Sequence, residues 1–176
     1  ETTYVIDPEF AYYGPMGFDL GAIIANLLLG YLSQKGHSNG DAYAQWVLEQ
    51  VVVVWDTFHA TFLELWTADN AKGESFNWNV YGDMIVQTRE EYLQRLFLDA
   101  CGFAGAKMLR RIVGVAHVED MDSIADANVR SECEKRALLL ARYLMTQSVE
   151  GSIQSISQVT AQAAELFNSN DFSWPV

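Results

Sequence analysis

TTYVIDPEFAYYGPMGFDLGA, residues 2–22, passes through three local signals in one short stretch. Thr2, Thr3, Tyr4, Val5 and Ile6 are β-branched or aromatic and predict a strand. Asp7 and Glu9 follow, on either side of Pro8, and a Gly/Pro turn closes the segment at Gly14 to Gly17. From Phe18 to Gln34 apolar residues recur nearly all round a helical wheel, which predicts a central, buried helix. Asp19 stands near its start, where a carboxylate suits the free backbone N–H groups, so a structural role bracing the loop is expected for it. A single strand leaves its backbone groups unpaired. It needs a partner: either a hairpin mate is missing upstream, or the chain pairs with another segment.

Outward from this stretch the pattern is helical. QKGHSNG (34–40) is a helix stop and a loop. Residues 41–68 predict a long amphipathic helix, with Trp46, Val47, Val53, Val54, Phe58, Phe62, Leu65 and Trp66 at helical spacings. DNAKGESFNWN (69–79) is polar and breaks it. A helix is predicted from Tyr81 to Leu98. The block from Cys101 to Met121 follows, with small residues for close packing and Met108, Leu109, Ile112 and Val113 at core spacing. Residues 128–148 predict an amphipathic helix carrying Leu138, Leu139, Ala141, Leu144 and Met145, and SISQVTAQAAELF (155–167) a last one. Residues 169–176 read as an irregular tail whose Phe172 and Trp174 are suited to docking. No repeat or low-complexity tract is present. The expected fold class is mainly α with a short β remnant at the amino terminus, one domain over 1–168.

Half of the 176 residues are apolar, enough for a substantial core. The net charge of -12, from 23 acids and 11 bases, argues against nucleic acid and anionic lipid as general partners. No apolar run reaches the ~18 residues that a membrane span needs, and no signal peptide is expected. Cys101 and Cys133 are far apart and in no CxxC pair, so two reduced, buried thiols are expected rather than a disulfide or zinc site. This fits a reducing compartment, and a cytoplasmic location is expected.

Two constellations carry possible chemistry. Residues i and i+2 of a strand point to the same side, so Asp7 and Glu9 aim two carboxylates at one point. That suits a hard cation such as Mg²⁺, which takes oxygen ligands and often substrate phosphate as well. The plainer reading is an exposed acidic pair. Arg110 and Arg111 are the second. Helical neighbours lie about 100° apart, but near a helix end two arginines can converge on one pocket. The plainer reading is a solvated pair beside Glu119, Asp120 and Asp122. His37, His59 and His117 have no metal-ligand spacing.

VIDPEFAYYGPMGFDLGAIIANLLLGY resembles the metal-binding strand and following helix of the 5-methylthioribose kinases, in the wider aminoglycoside phosphotransferase and choline kinase group. AKMLRRIVGVAHVEDMDSI (106–124) resembles a second block of that family, and the other helices fit the order of its carboxy-terminal lobe. The resemblance implies a protein-kinase-like fold, Asp7 and Glu9 as ligands of the Mg²⁺ that bridges the ATP phosphates, and Arg110 and Arg111 as contacts to the sugar. It implies transfer of the γ-phosphate of ATP to the 1-hydroxyl of methylthioribose, in methionine salvage, by a soluble dimer. The Gly-rich phosphate loop, the ATP-contacting lysine and the catalytic loop of that family are not in these residues. This chain alone is therefore expected to be inactive. The alternative is a kinase-derived structural or interaction subunit, with a protein partner over the first strand.

Overall fold

The computed structural model describes Tyr4, residues 11–67 and residues 78–169, with the backbone alone for 78–83. Six α-helices make up the described chain: α1 (Gly17–Ser33), α2 (Asp41–Thr67), α3 (Trp78–Val113), α4 (Glu119–Asp122), α5 (Ala127–Glu150) and α6 (Ile156–Asn168). A 3-10 turn, Gln34–Gly36, closes α1. No strand occurs among the described residues, and the architecture is mainly α, as expected. The predicted strand lies outside the described residues except for Tyr4, which is in no regular element. The tail from residue 170 and most of the polar break after α2 lie outside them too.

The central helix is where the sequence places it. α1 packs against α2, α3, α4, α5 and α6, which explains why its apolar residues go nearly all round. Leu28, Leu29 and Leu32 are fully buried; each such leucine is worth about 2 kcal/mol over an exposed one. Its N-cap, Met16, makes no side-chain cap bond, and Asp19 is exposed in the first turn. Asp19 therefore complements the helix dipole rather than bracing the loop through a cap.

Two segments predicted separately, 81–98 and the block from Cys101, form one continuous helix, α3, of 36 residues. Gly102 and Gly105 cost helix propensity, but together with Ala100 and Ala104 they let α1 and α5 approach closely from two sides. A Cβ on Gly21 of α1 would stand 2.6 Å from the carbonyl oxygen of Ala100. This close packing carries the helix through the small residues.

The buried face of α2 is rotated from the predicted one. Ala44, Val47, Leu48, Val51 and Trp55 are buried. Of the eight residues named for that face only Val47 is among them. Trp46, Val53 and Leu65 are exposed. Phe58, Phe62 and Trp66 form a half-buried aromatic ladder with Tyr92 of α3. Apolar residues occupy more of α2 than its neighbours can cover. In α3 Met108 is fully buried, but Leu109 and Val113 are exposed. In α5 Ala141 and Leu144 are buried as expected, and Cys133, Ala137 and Leu140 complete the face, whereas Met145 is exposed.

The ends of α5 and α6 follow from local chemistry. The Asp126 carboxylate accepts from the backbone N–H of Asn128 at 2.8 Å and Val129 at 3.2 Å, an N-cap worth about 1 kcal/mol. Gly151, at φ 68°, closes α5 in the left-handed region. Gln158 Oε1 accepts from the backbone N–H of Ser155 at 3.3 Å and starts α6. Cys101 and Cys133 are free and buried. No described helix is long and apolar enough to cross a membrane.

Candidate functional site

Arg110 and Arg111 stand in the last turn of α3. The chain turns back there: Gly114 N–H donates to the carbonyl of Arg110 at 2.9 Å. Arg111 Nη1 donates to the carbonyl oxygens of Ala116 at 3.2 Å and His117 at 3.5 Å. It thereby holds the 114–118 loop against the end of its own helix. Arg110 is exposed and makes no ion pair among the described residues. The two guanidinium groups thus share no partner there.

Of the acids after the loop, Asp122 pairs with His117, and Asp120 is met only at its backbone carbonyl. His117 Nδ1 is 3.9 Å from Asp122 Oδ1, and His37 Nε2 is 2.8 Å from the Asp120 carbonyl oxygen, joining the α1–α2 connection to α4. No ion pair joins either arginine to Glu119, Asp120 or Asp122 among the described residues.

Asp7 and Glu9 lie outside the described residues. The flank next to them does not. Tyr12 meets Phe18 edge-on at 5.6 Å, and Phe18 meets Phe103 of α3 edge-on at 5.4 Å. Lys107 Nζ lies 4.2 Å from the centre of the same Phe18 ring. The entry to α1 is therefore packed on α3 one turn before Arg110 and Arg111. Lys107 was not singled out from the sequence; only the structure places it on Phe18, though its i, i+3 and i+4 relation to the arginines was readable.

Among the described residues no group of three or more His, Cys, Asp or Glu is arranged to hold a metal ion. A cavity of about 550 Å³ lies between α2 and α3 and is lined by His59, Leu63, Val86, Arg89 and Glu90. Arg89 and Arg110 are 21 residues apart on one helix, about 30 Å along its axis, so this cavity is remote from the arginine pair. Arg89 is 5% exposed, donates to the Trp66 carbonyl at 2.7 Å and lies over the Trp66 ring. Arg136, also 5% exposed, donates to the carbonyls of Leu166 at 3.2 Å and Ser169 at 3.3 Å. Both buried arginines tie elements together, and only the i, i+4 pair of Glu132 and Arg136 hinted at either.

No protein-family model matches the chain. It is similar to curated proteins named methylthioribose kinase. It is 43% identical over 166 residues to Methylthioribose kinase 1 of Oryza sativa subsp. japonica, covering 90% of this chain and 38% of the relative. Identity is 37% over 168 residues with the protein of that name from Geobacillus sp. (strain WCH70), covering 93% and 39%. It is 35% over 153 residues with that from Escherichia coli O45:K1 (strain S88 / ExPEC), covering 83% and 36%. The chain is thus homologous over most of its length to methylthioribose kinases and spans less than two-fifths of theirs, which fits a carboxy-terminal lobe.

Proposed function

We propose that this chain is the carboxy-terminal lobe of an ATP-dependent kinase that phosphorylates the 1-hydroxyl of 5-methylthioribose in methionine salvage. The observation that carries the reading is the 43% identity to the rice protein across 90% of the chain. Arg110, exposed at the end of α3, is the sugar-facing donor, with Arg111 beside it. A guanidinium presents a fixed fork of N–H donors that suits sugar hydroxyls as well as anions.

Asp7 and Glu9 are the proposed Mg²⁺ ligands. Two carboxylates are the oxygen donors this ion takes, and a pair leaves coordination positions for phosphate and water. These two carboxylates would hold the ion, which would supply neutralisation of phosphate charge. The residues here do not include the ATP-binding lobe or catalytic loop of the resembled family, so the 176-residue chain alone is proposed to be inactive. A cytoplasmic location and a homodimer belong to the same reading.

A chimaera tests it: residues 1–176 replace the homologous segment of the rice protein, and ADP release is followed with ATP, Mg²⁺ and methylthioribose. We expect methylthioribose-dependent turnover, lost on joint Asp7→Asn and Glu9→Gln substitution and absent from the chain alone. A folded chimaera without turnover overturns the reading.

A second reading, a kinase-derived interaction subunit, is favoured by one feature. Val53, Val54, Phe58, Phe62 and Leu65 line an open, apolar groove of about 500 Å³ on α2, and such surfaces mark partner contacts. Recovery of the native chain in a stable assembly without methylthioribose binding would select it.

A further inference from the structure

α2 packs on α1 and α6, and its buried residues, Ala44, Val47, Leu48, Val51 and Trp55, form the side turned to them. Beside that side a second apolar stripe stays in the open. Tyr43, Trp46, Val53 and Leu65 are 45%, 52%, 51% and 67% exposed. The rings of Tyr43 and Trp46 stack at 5.7 Å, and those of Phe58 and Phe62 at 5.5 Å. Val53, Val54, Phe58, Phe62 and Leu65 line the groove of about 500 Å³. From Tyr43 to Leu65 the stripe runs about 33 Å along the helix.

The groove lining holds no charged side chain, and its only polar side chains are those of Thr57 and Thr61. Acids stand along one edge of it. Glu49 is four positions before Val53, Asp56 three positions after it, and Glu64 three positions after Thr61. Such spacings make neighbours on a helix surface. All three carboxylates are exposed, and among the described residues none of them forms an ion pair. Nor is a base close by in these elements: α1, α2 and α6 contain no Lys or Arg. The described bases stand in the 3-10 turn, on α3 and on α5. The apolar face of α2 thus has an acidic border of one sign. A second copy, with a net charge of -12, would bring acids to acids there. A partner with a basic edge gains where a second copy loses.

We propose that this face of α2 docks an amphipathic helix of a partner protein, whose apolar stripe enters the groove and whose Lys or Arg edge meets Glu49, Asp56 and Glu64. A helix laid in an apolar groove holds by anchors at i, i+3, i+4 and i+7. The docking rests on the same groove as the interaction-subunit reading and supplies the chemistry of its partner; a working kinase can carry it as well.

The test is a titration of the 176-residue chain with labelled peptides at physiological ionic strength, followed by anisotropy and by backbone amide NMR shifts. The probe is an amphipathic Leu/Lys helix of about 20 residues with leucines at i, i+3, i+4 and i+7; the control is the same pattern with Glu for Lys. Binding of the Leu/Lys peptide with shifts centred on residues 43–65 is expected, and none of the Leu/Glu peptide. Joint Val53→Glu and Leu65→Glu substitution, at exposed positions, weakens binding at least tenfold although it adds two acids. Val149→Glu, at an exposed position of α5, leaves it unchanged. Joint Glu49→Gln, Asp56→Asn and Glu64→Gln substitution weakens it about tenfold, the effect of three surface pairs together, and all variants keep the melting temperature. Affinity that is equal or higher in the Val53→Glu, Leu65→Glu chain overturns the docking, since general attraction to an acidic chain then explains it. Equal binding of the Leu/Glu peptide overturns the basic edge and with it the partner. A dimer in sedimentation that the same two substitutions dissociate names a second copy as the occupant, and binding of phosphatidylcholine vesicles without the peptide names lipid; each overturns the proposal. So does a peptide that binds the chain but not the folded rice chimaera, because the rest of the longer protein then covers the face. A chimaera that binds the peptide at the groove yet turns over no methylthioribose leaves the docking site and removes the kinase reading. Turnover without peptide binding does the reverse.

Discussion

The carbonyl oxygen of Ala141 on α5 lies 2.6 Å from the point where a Cβ on Gly105 of α3 would stand. No side chain fits at that distance without moving one backbone against the other. Gly21 of α1 bears the same relation to Ala100 on the opposite side of α3. The long helix is therefore clasped by two others at backbone distance.

Gly105→Ala and Gly21→Ala are expected to destabilise the chain by about 1–3 kcal/mol each. The overpacking cost is set against about 1 kcal/mol of gained helix propensity. Gly102→Ala is the control. A Cβ there meets Ser148 Oγ at 3.1 Å, a hydroxyl that can rotate away, so its effect is expected to be near neutral. Urea midpoints compare the three, and equal midpoints for Gly105→Ala and Gly102→Ala would refute the backbone clasp.

Arg111→Ala is expected to release the 114–118 loop. Hydrogen exchange of its amides rises, and stability falls by about 1–2 kcal/mol as two carbonyls lose their donor. Arg110→Ala leaves both within about 0.5 kcal/mol. Exchange followed by mass spectrometry distinguishes the two neighbours, and identical protection in both variants would contradict the division of roles.

Arg136→Met removes the donors that join α5 to the end of α6 at the Leu166 and Ser169 carbonyls. A loss of about 3 kcal/mol is expected, together with earlier proteolytic cleavage at the carboxy-terminal end of α6. Unchanged cleavage there would mean that α6 is held by its apolar face alone.

Burial pushes the Cys101 thiol from its usual value of 9.0 up to about 12. Burial, with the Asp41 charge adding to it, pushes Tyr31 from 10.0 to about 12. Both groups hold protons in the folded chain that the unfolded chain has already lost. Their stabilisation is complete below pH ~9 and is lost as pH rises toward ~12. The Cys101 share between pH ~9 and ~10.5 is about 2 kcal/mol. Cys101→Ala should lower stability at neutral pH by opening a small cavity, yet show a shallower alkaline decline. Parallel declines in wild type and variant would show that the thiol stays protonated in both states.

The helical class and most helix limits were legible because a 3.6-residue apolar period needs only local sequence. α1 was legible as central because its apolar residues leave almost no polar face. α2 was harder. Apolar side chains surround much of it, and Trp46 and Val53 look as suited to burial as Leu48 and Val51. Only the positions of α1 and α6 decide between them. The arginine pair was visible as a motif, but its unequal engagement depends on how the loop after α3 turns back.

The order of helices, the acidic character, the buried thiols and the likeness to methylthioribose kinases were therefore set by the sequence itself, since each rests on residue identity or local spacing. Tertiary structure alone decided that α3 runs unbroken through its small residues, that α2 buries the Val51 face and that Lys107 lies on Phe18. These outcomes depend on contacts between residues distant in the chain, where steric fit and charge compensation outweigh local propensity.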